Sequence, residues 1–439
     1  MFRTIDNHLK IWSERKDRKV LLFRGARQVG KTYAIRTLGK QFRRMVEINF
    51  ETRRKVHAFF AETLDPAEIV KKLEYYLDTK ITPGETLLFF DEIQVCPDAL
   101  RSLRYFYEEM PELHVVAAGS LLEFALAELP SFGVGRIESL YLHPMSFREF
   151  LTALGSERSI ELIQQASPER PIDPVLHGKF LEQMKVFQLI GGLPEVVRGY
   201  VDDRDLRRCR DILDDLVRGM ESDFAKYKVR SPVARLRETF ASVAIQSGAK
   251  FKYTAVGEDS SSLYRDALEL LVKAGLVCRA HHTTGAGIPL GAGVDPRRFK
   301  AVLFDSGVYQ RIMRLDLSKY VTSDFPAIIN RGPLAEIAVG NELVKGRGPK
   351  EVPELYYWHR EARASTAEVD YLVENKNRVI PIEVKAGTSA KMKSLRLFIE
   401  EKKIPTGVRF SSDNFSREGA VVSIPLYAAG FCEEYDWLV

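Results

Sequence analysis

Short apolar runs alternate with amphipathic stretches through the first third of the chain. Val20–Phe23, Met45–Phe50 and Leu87–Phe90 are nearly continuous in hydrophobic residues, and His114–Ser120 is a further apolar run ending in small polar residues. Runs of this length between segments of helical spacing predict the buried strands of a parallel sheet, joined by crossover helices. Ile137–Leu142 supplies a fifth strand, and a charged helix over residues 2–19 leads into the first. Between the second and third strands, helices are predicted around Val56–Phe60 and over Ala67–Leu77. Asp65 opens the latter as N-cap, with Pro66 at the first helical position.

After Pro144 the pattern turns helical. Ser146 opens SFREFLTAL, and residues 153–175 read as a polar, proline-containing loop with one short helix. Phe180–Ile190 is helical, Gly191-Gly192-Leu193-Pro194 forces a turn, and charged helices run from Asp203 towards Tyr227. Helices are predicted over Val233–Ser247 and Ser261–Ala274, with a turn or short helix at Tyr253–Glu258. Leu263, Ala267, Leu268, Leu270 and Leu271 form one face of the Ser261 helix, and Gly275 ends it. Leu276–Arg279 and Phe299–Phe304 then read as two strands flanking a glycine-rich tip. Helices followed by a hairpin predict a winged helix-turn-helix. In the last third, a helix over Gly332–Leu343 precedes strands at Glu354–His359, Glu368–Glu374 and Val379–Gly387, the last two forming a hairpin about Asn375–Asn377.

Chemistry-bearing residues fall on this framework at informative places. Gly25-Ala26-Arg27-Gln28-Val29-Gly30-Lys31-Thr32 follows the first strand and opens a helix. Two glycines let backbone amides wrap a phosphate, Lys31 reaches the β- and γ-phosphates, and the Thr32 hydroxyl suits Mg²⁺. LLFFDEI ends an apolar strand in two carboxylates. Asp91 would hold the Mg²⁺, and Glu92 would act as general base on the attacking water. This pair points to ATP hydrolysis; a GTPase reading lacks its Asn-Lys-x-Asp base motif. Ser120, at the tip of the fourth strand, suits sensing of the γ-phosphate or a helix N-cap, with Glu123 completing a capping box. Arg136, just before the fifth strand, suits either an arginine finger reaching a neighbour's γ-phosphate, worth about 10³–10⁵ in rate, or a loop brace. The finger would require a homo-oligomer.

The remaining motifs concern nucleic acid. The Ser261 helix could enter a major groove, but its cations are only Arg265 and Lys273, against Asp266 and Glu269. Arg297, Arg298 and Lys300 at the base of the wing add charge, and a structural or protein-docking role stays open. His281-His282 reads as solvated strand. Near the C-terminus, Asp370 on one strand faces Glu383 and Lys385 on the next, with Glu336 on the preceding helix. Strand alternation puts Glu383 and Lys385 on one face. Carboxylates so placed suit Mg²⁺ or Mn²⁺, with Lys385 orienting a water; the alternative is a salt-bridged hairpin. Lys391 and Lys393 could touch a phosphate backbone.

FRGARQVGKT, LLFFDEI, AAGS, GRIESLYLHPMSFREF and GGLPEVV together resemble prokaryotic AAA-family ATPases whose C-terminal half is a domain of unknown function with a PD-(D/E)XK nuclease-like core. The resemblance runs over almost the whole chain. It implies ATP binding and a parallel five-stranded core. The expected fold class is therefore α/β: an AAA-type P-loop domain over residues 1–150, a helical and winged-helix region over 151–310, and a nuclease-like domain over 311–439. The expected function is an ATPase whose nucleotide state controls a nuclease-like domain acting on DNA or RNA. The alternative is an ATP-dependent switch whose inactive nuclease-like domain docks a protein partner.

Totals narrow this only slightly. The 439 residues allow two or three domains. A net charge of +5, from 65 basic and 60 acidic residues, permits a nucleic-acid partner without demanding one. No apolar run approaches the roughly 20 residues of a membrane span. Cys96, Cys209, Cys278 and Cys432 lack metal or redox spacing, which suggests reduced thiols in the cytoplasm.

Overall fold

Two sheets organise the chain. A computed structural model describes residues 1–119, 122–128, 135–227, 230–315, 332–360, 366–385 and 392–438. They divide into two compact units, one of residues 2–143 with 349–352, the other of 144–348 and 353–439 with Met1.

In the first unit β1 (Val20–Arg24), β2 (Arg44–Asn49), β3 (Thr86–Asp91), β4 (His114–Ala118) and β5 (Ile137–Tyr141) form a sheet ordered β2-β3-β4-β1-β5. Every pairing is parallel. The strand after the Asp91 strand therefore lies between it and β1. All six residues of β3 are buried, because a central parallel strand is covered on both faces. One face of the sheet packs Phe50, Phe60, Phe90 and Phe106 edge to face, with ring centroids 5.3–5.7 Å apart. The N-terminal helix spans only Thr4–Glu14. Its buried Trp12 donates Nε1–H to Lys19 O, tying the connector to the helix. Asp65 caps the helix Pro66–Leu77, accepting from Ala67 N and Glu68 N.

In the second unit β6 (Val277–Thr283), β7 (Val294–Leu303), β8 (Leu355–His359), β9 (Glu368–Asn375), β10 (Arg378–Val384), β11 (Gly407–Ser411), β12 (Ser416–Glu418) and β13 (Val421–Pro425) form one mixed sheet. Its order is β12-β13-β11-β10-β9-β8-β6-β7. The expected wing is thus not free-standing. β6 and β7 pair antiparallel, but β6 also pairs in parallel with β8. The edge a free wing would expose to water is satisfied by backbone hydrogen bonds instead. The sheet consequently crosses the boundary expected at residue 310. His282, expected to be solvated, is 2% exposed; its ring lies against Tyr357, and Nε2 is 3.1 Å from His359 O.

Ahead of that sheet, the helix predicted over Phe180–Ile190 begins at Pro174, where Asp173 accepts from Val175 N and Leu176 N. The Gly191-Gly192 turn has a specific partner. Buried Asp305 accepts from Gly192 N at 2.7 Å and from Val308 N at 3.0 Å. Met145 N donates to Gly192 O, and a Cβ on Gly192 would fall 2.1 Å from Met145 O. The helix Gly332–Gly346 and the helix Lys393–Lys402 flank the strands β8 to β10 in chain order, and β11 follows the second helix. Among the described residues, no helix is long and apolar enough to cross a membrane, and all four cysteines are free.

Candidate nucleotide site

The phosphate loop leaves β1 at its carboxyl end and closes onto the helix Lys31–Gly39. Positive φ values at Gly25 (139°), Gln28 (65°) and Gly30 (96°) curl the backbone. At Gly25 the glycine is obligatory: a Cβ would fall 2.2 Å from Leu142 O. Within the loop the Lys31 ammonium donates to Gly25 O at 2.8 Å and to Ala26 O at 2.7 Å. Burial pushes Lys31 down to about 8, partly offset by the charges of Glu92 and Asp91. A desolvated cation inside a curl of backbone amides is what a triphosphate needs.

Parallel pairing brings the end of β3 alongside. Thr32 Oγ1 lies 3.4 Å from Asp91 Oδ2, so the hydroxyl and carboxylate predicted to share Mg²⁺ face one another. Burial first, and then the Glu92 charge, hold the Asp91 carboxyl above the usual range. Two residues unremarked in the sequence complete the group. Asn49, at the end of β2, donates Nδ2–H to Asp91 Oδ2 at 3.3 Å, while its own Oδ1 accepts from Glu51 N and Thr52 N. Gln94 donates to Glu92 Oε2 at 2.6 Å. Glu92 itself takes a left-handed backbone conformation, φ 50° and ψ 41°. Asn49 is brought to Asp91 by the β2–β3 register, whereas Gln94 lies two residues beyond Glu92 in the same turn.

Ser120 lies outside the described residues. Glu123, expected to serve a capping box there, pairs with Arg24 Nη1 at 2.8 Å. Arg136 does not reach its own phosphate loop. It precedes β5, whose Ile137 is in register with Val20 at the amino end of β1. The loop leaves the opposite end, four residues on at ~3.3 Å each. Arg136 Nε instead lies 2.6 Å from Glu108 Oε1. The loop backbone, buried ammonium, facing hydroxyl and carboxylate nonetheless fit a nucleotide with Mg²⁺.

The second cluster is organised differently from expectation. Asp370, Glu336 and Glu383 do gather near one another, but Lys300 of β7 lies among the carboxylates. Its Nζ is 2.8 Å from Glu336 Oε1, 2.6 Å from Glu368 Oε1 and 3.7 Å from Asp370 Oδ1. Only 1% of its side chain is exposed, and the ammonium sits 5.3 Å from the Tyr357 ring centre. Burial alone would lower Lys300; the charges of Glu336, Asp370 and Glu368 outweigh it and hold the group above its usual value. Asp370 Oδ2 is occupied by Val384 N at 2.7 Å. Lys385 pairs with Glu383 Oε1 at 2.6 Å. Burial pushes Glu336 and Glu383 up to about 7. Among the described residues, no three His, Cys, Asp or Glu side chains are placed to hold a metal. Glu336, Asp370 and Glu383 thus lie together as expected, with the Lys300 ammonium beside Glu336 and Asp370. Lys391 lies outside the described residues.

Residues 17–151 match the family model described as an AAA domain. That span contains the phosphate loop, Asp91, Glu92 and Arg136, and it carries nucleotide binding with it. Residues 181–330 and 331–428 match two models described as domains of unknown function, DUF8612 and DUF4143. No curated protein matches the chain. Among solved structures, the Walker-type ATPase PABY2304 of Pyrococcus abyssi is similar at 17% identity and TM-score 0.45, over 72% of this chain and 96% of that one. The Hsp104–ADP complex of S. cerevisiae is similar at 13% identity and TM-score 0.30, over 62% and 38% respectively. Unliganded Pif1 from Bacteroides sp. follows at 17% identity and TM-score 0.22, over 41% and 51%. These likenesses are distant, and the reading of the site rests on its geometry.

Proposed function

We propose that the chain hydrolyses ATP in its first unit and uses the nucleotide cycle to switch its second. The backbone from Gly25 to Thr32 and the Lys31 ammonium bind the β- and γ-phosphates. Thr32 and Asp91 hold Mg²⁺, which when bound neutralises charge between those phosphates. Glu92, oriented by Gln94, accepts a proton from the attacking water. Ser120 would sense the γ-phosphate. Arg136, at the amino end of the strands and away from its own phosphate loop, would serve a neighbouring copy's site, which requires at least a dimer during hydrolysis. Four free thiols suit a cytoplasmic setting.

The observation that carries the reading is the 3.4 Å approach of Thr32 Oγ1 to Asp91 Oδ2 beside the Lys31 loop. Lys31→Ala tests it. Binding of a fluorescent ATP analogue should fall at least tenfold, with the circular dichroism spectrum unchanged. Unaltered affinity would remove the loop from the site.

For the second unit, the lysine among the carboxylates favours the switch that docks a protein partner over the metal-dependent nuclease. What supports the nuclease reading is the element order of helix, three strands, helix and strand, together with Asp370, Glu383 and Lys385. Cleavage of DNA or RNA with Mg²⁺ or Mn²⁺ would need those carboxylates free.

A further inference from the structure

Four carboxylates gather in the second unit, on the helix Gly332–Gly346 and on β9 and β10: Glu336, Glu368, Asp370 and Glu383. Lys385 stands at the end of β10, beside Glu383. Acidic side chains at this density need a counter-charge, because isolated buried anions are too costly to keep ionised. A divalent cation is the common answer, ligated by oxygens at about 2.0–2.6 Å. Here the chain supplies its own answer from a distant strand.

We infer that Lys300 is a tethered counter-cation that closes a latent divalent-cation site, so the second unit works without a metal. The inference does not depend on the ATPase reading. Three features of the cluster converge on it. First, the ammonium has three N–H donors, and three carboxylates from two elements surround it at 2.6–3.7 Å. A metal on the same oxygens would press against that ammonium. Second, Lys300 is held from behind. Its side chain is 1% exposed, it lies against the Tyr357 ring, and its backbone is paired within β7 to Ala280 of β6. Third, Glu383 Oε2 is buried with no hydrogen-bond partner among the described residues, and 8% of that side chain is exposed. An unpartnered carboxylate oxygen beside the cluster is the mark of a ligand set whose ion has been replaced off-centre. Lys300 satisfies Glu336 and Glu368 at close range and Asp370 at longer range, and does not reach Glu383.

The test uses full-length protein without nucleotide and Mn²⁺ as the probe, followed by electron paramagnetic resonance of free Mn²⁺. The proteins are wild type, Asp370→Asn, Lys300→Met and the double variant. Methionine keeps the length and apolar stem of lysine and removes the charge. The wild type should show no Mn²⁺ binding that Asp370→Asn removes. Lys300→Met should gain one Mn²⁺ at least tenfold tighter than any wild-type binding, and the double variant should lose it. Wild-type binding of one Mn²⁺ that Asp370→Asn abolishes would overturn the inference. So would a folded Lys300→Met protein that gains no site. If Lys300→Met folds only with Mn²⁺ present, the latent site is confirmed. If it fails to fold with or without metal, the wild-type and Asp370→Asn pair decides alone, by the same criterion.

Discussion

At the scale of single residues, Lys31 is the most informative group. Its chemistry was legible in the sequence because the P-loop lysine has a fixed place between the second glycine and a hydroxyl. What no sequence shows is that burial brings its pKa down to about 8. The sign follows directly. Free protein loses the Lys31 proton as pH rises through about 8, whereas a bound triphosphate holds the ammonium charged. Binding above that pH must take up a proton, so affinity should fall by up to about tenfold per unit from pH 8 towards 9.5. Calorimetry in buffers of different ionisation heat would register the uptake; equal affinity at pH 7 and 9.5 with no proton uptake would contradict it. Lys300 makes the opposite point. It read as one of three cations at the base of a wing, since nothing local reports that Glu336, 36 residues later, folds onto it. A long-range ion cluster is the outcome of topology, and periodicity carries no information on it.

At the scale of elements, the parallel sheet was readable almost strand by strand, because a strand buried on both faces is a continuous apolar run. Helix starts were readable where a capping residue and proline coincide. Asp65-Pro66 is such a start. Asp173-Pro174 carries the same signal, masked by the polar, proline-containing residues before it. The β6–β7 hairpin is legible in the sequence, but its membership of a larger sheet is not. Alternating side chains show which faces are covered and say nothing of which strand edge finds a partner. The Gly191-Gly192 turn was also readable, though its anchor Asp305 was not. Asp305→Ala would leave Gly192 N and Val308 N buried and unpaired. The expected loss is about 2 kcal/mol of unfolding free energy, read from the midpoint of chemical denaturation; a loss under about 0.5 kcal/mol, the usual effect of a surface change, would mean that Asp305 does not hold the turn.

At the scale of the whole molecule, the chain combines a unit built for a nucleotide with one built around internal ion pairs. Each has its own sheet and its own core. The sequence displayed the first as motifs because phosphate chemistry demands fixed residues at fixed spacing. It displayed the second as scattered carboxylates, whose meaning depends on the cation that folding delivers. The account stands or falls on whether the first unit turns over ATP through Asp91 and Glu92. Glu92→Gln is the most direct measurement, since the substitution keeps the shape of the side chain and removes only its basicity. ATP affinity should stay within about twofold of wild type, while steady-state hydrolysis should drop ~10²-fold or more, the usual contribution of a general base. Hydrolysis at the wild-type rate in Glu92→Gln would contradict the central claim.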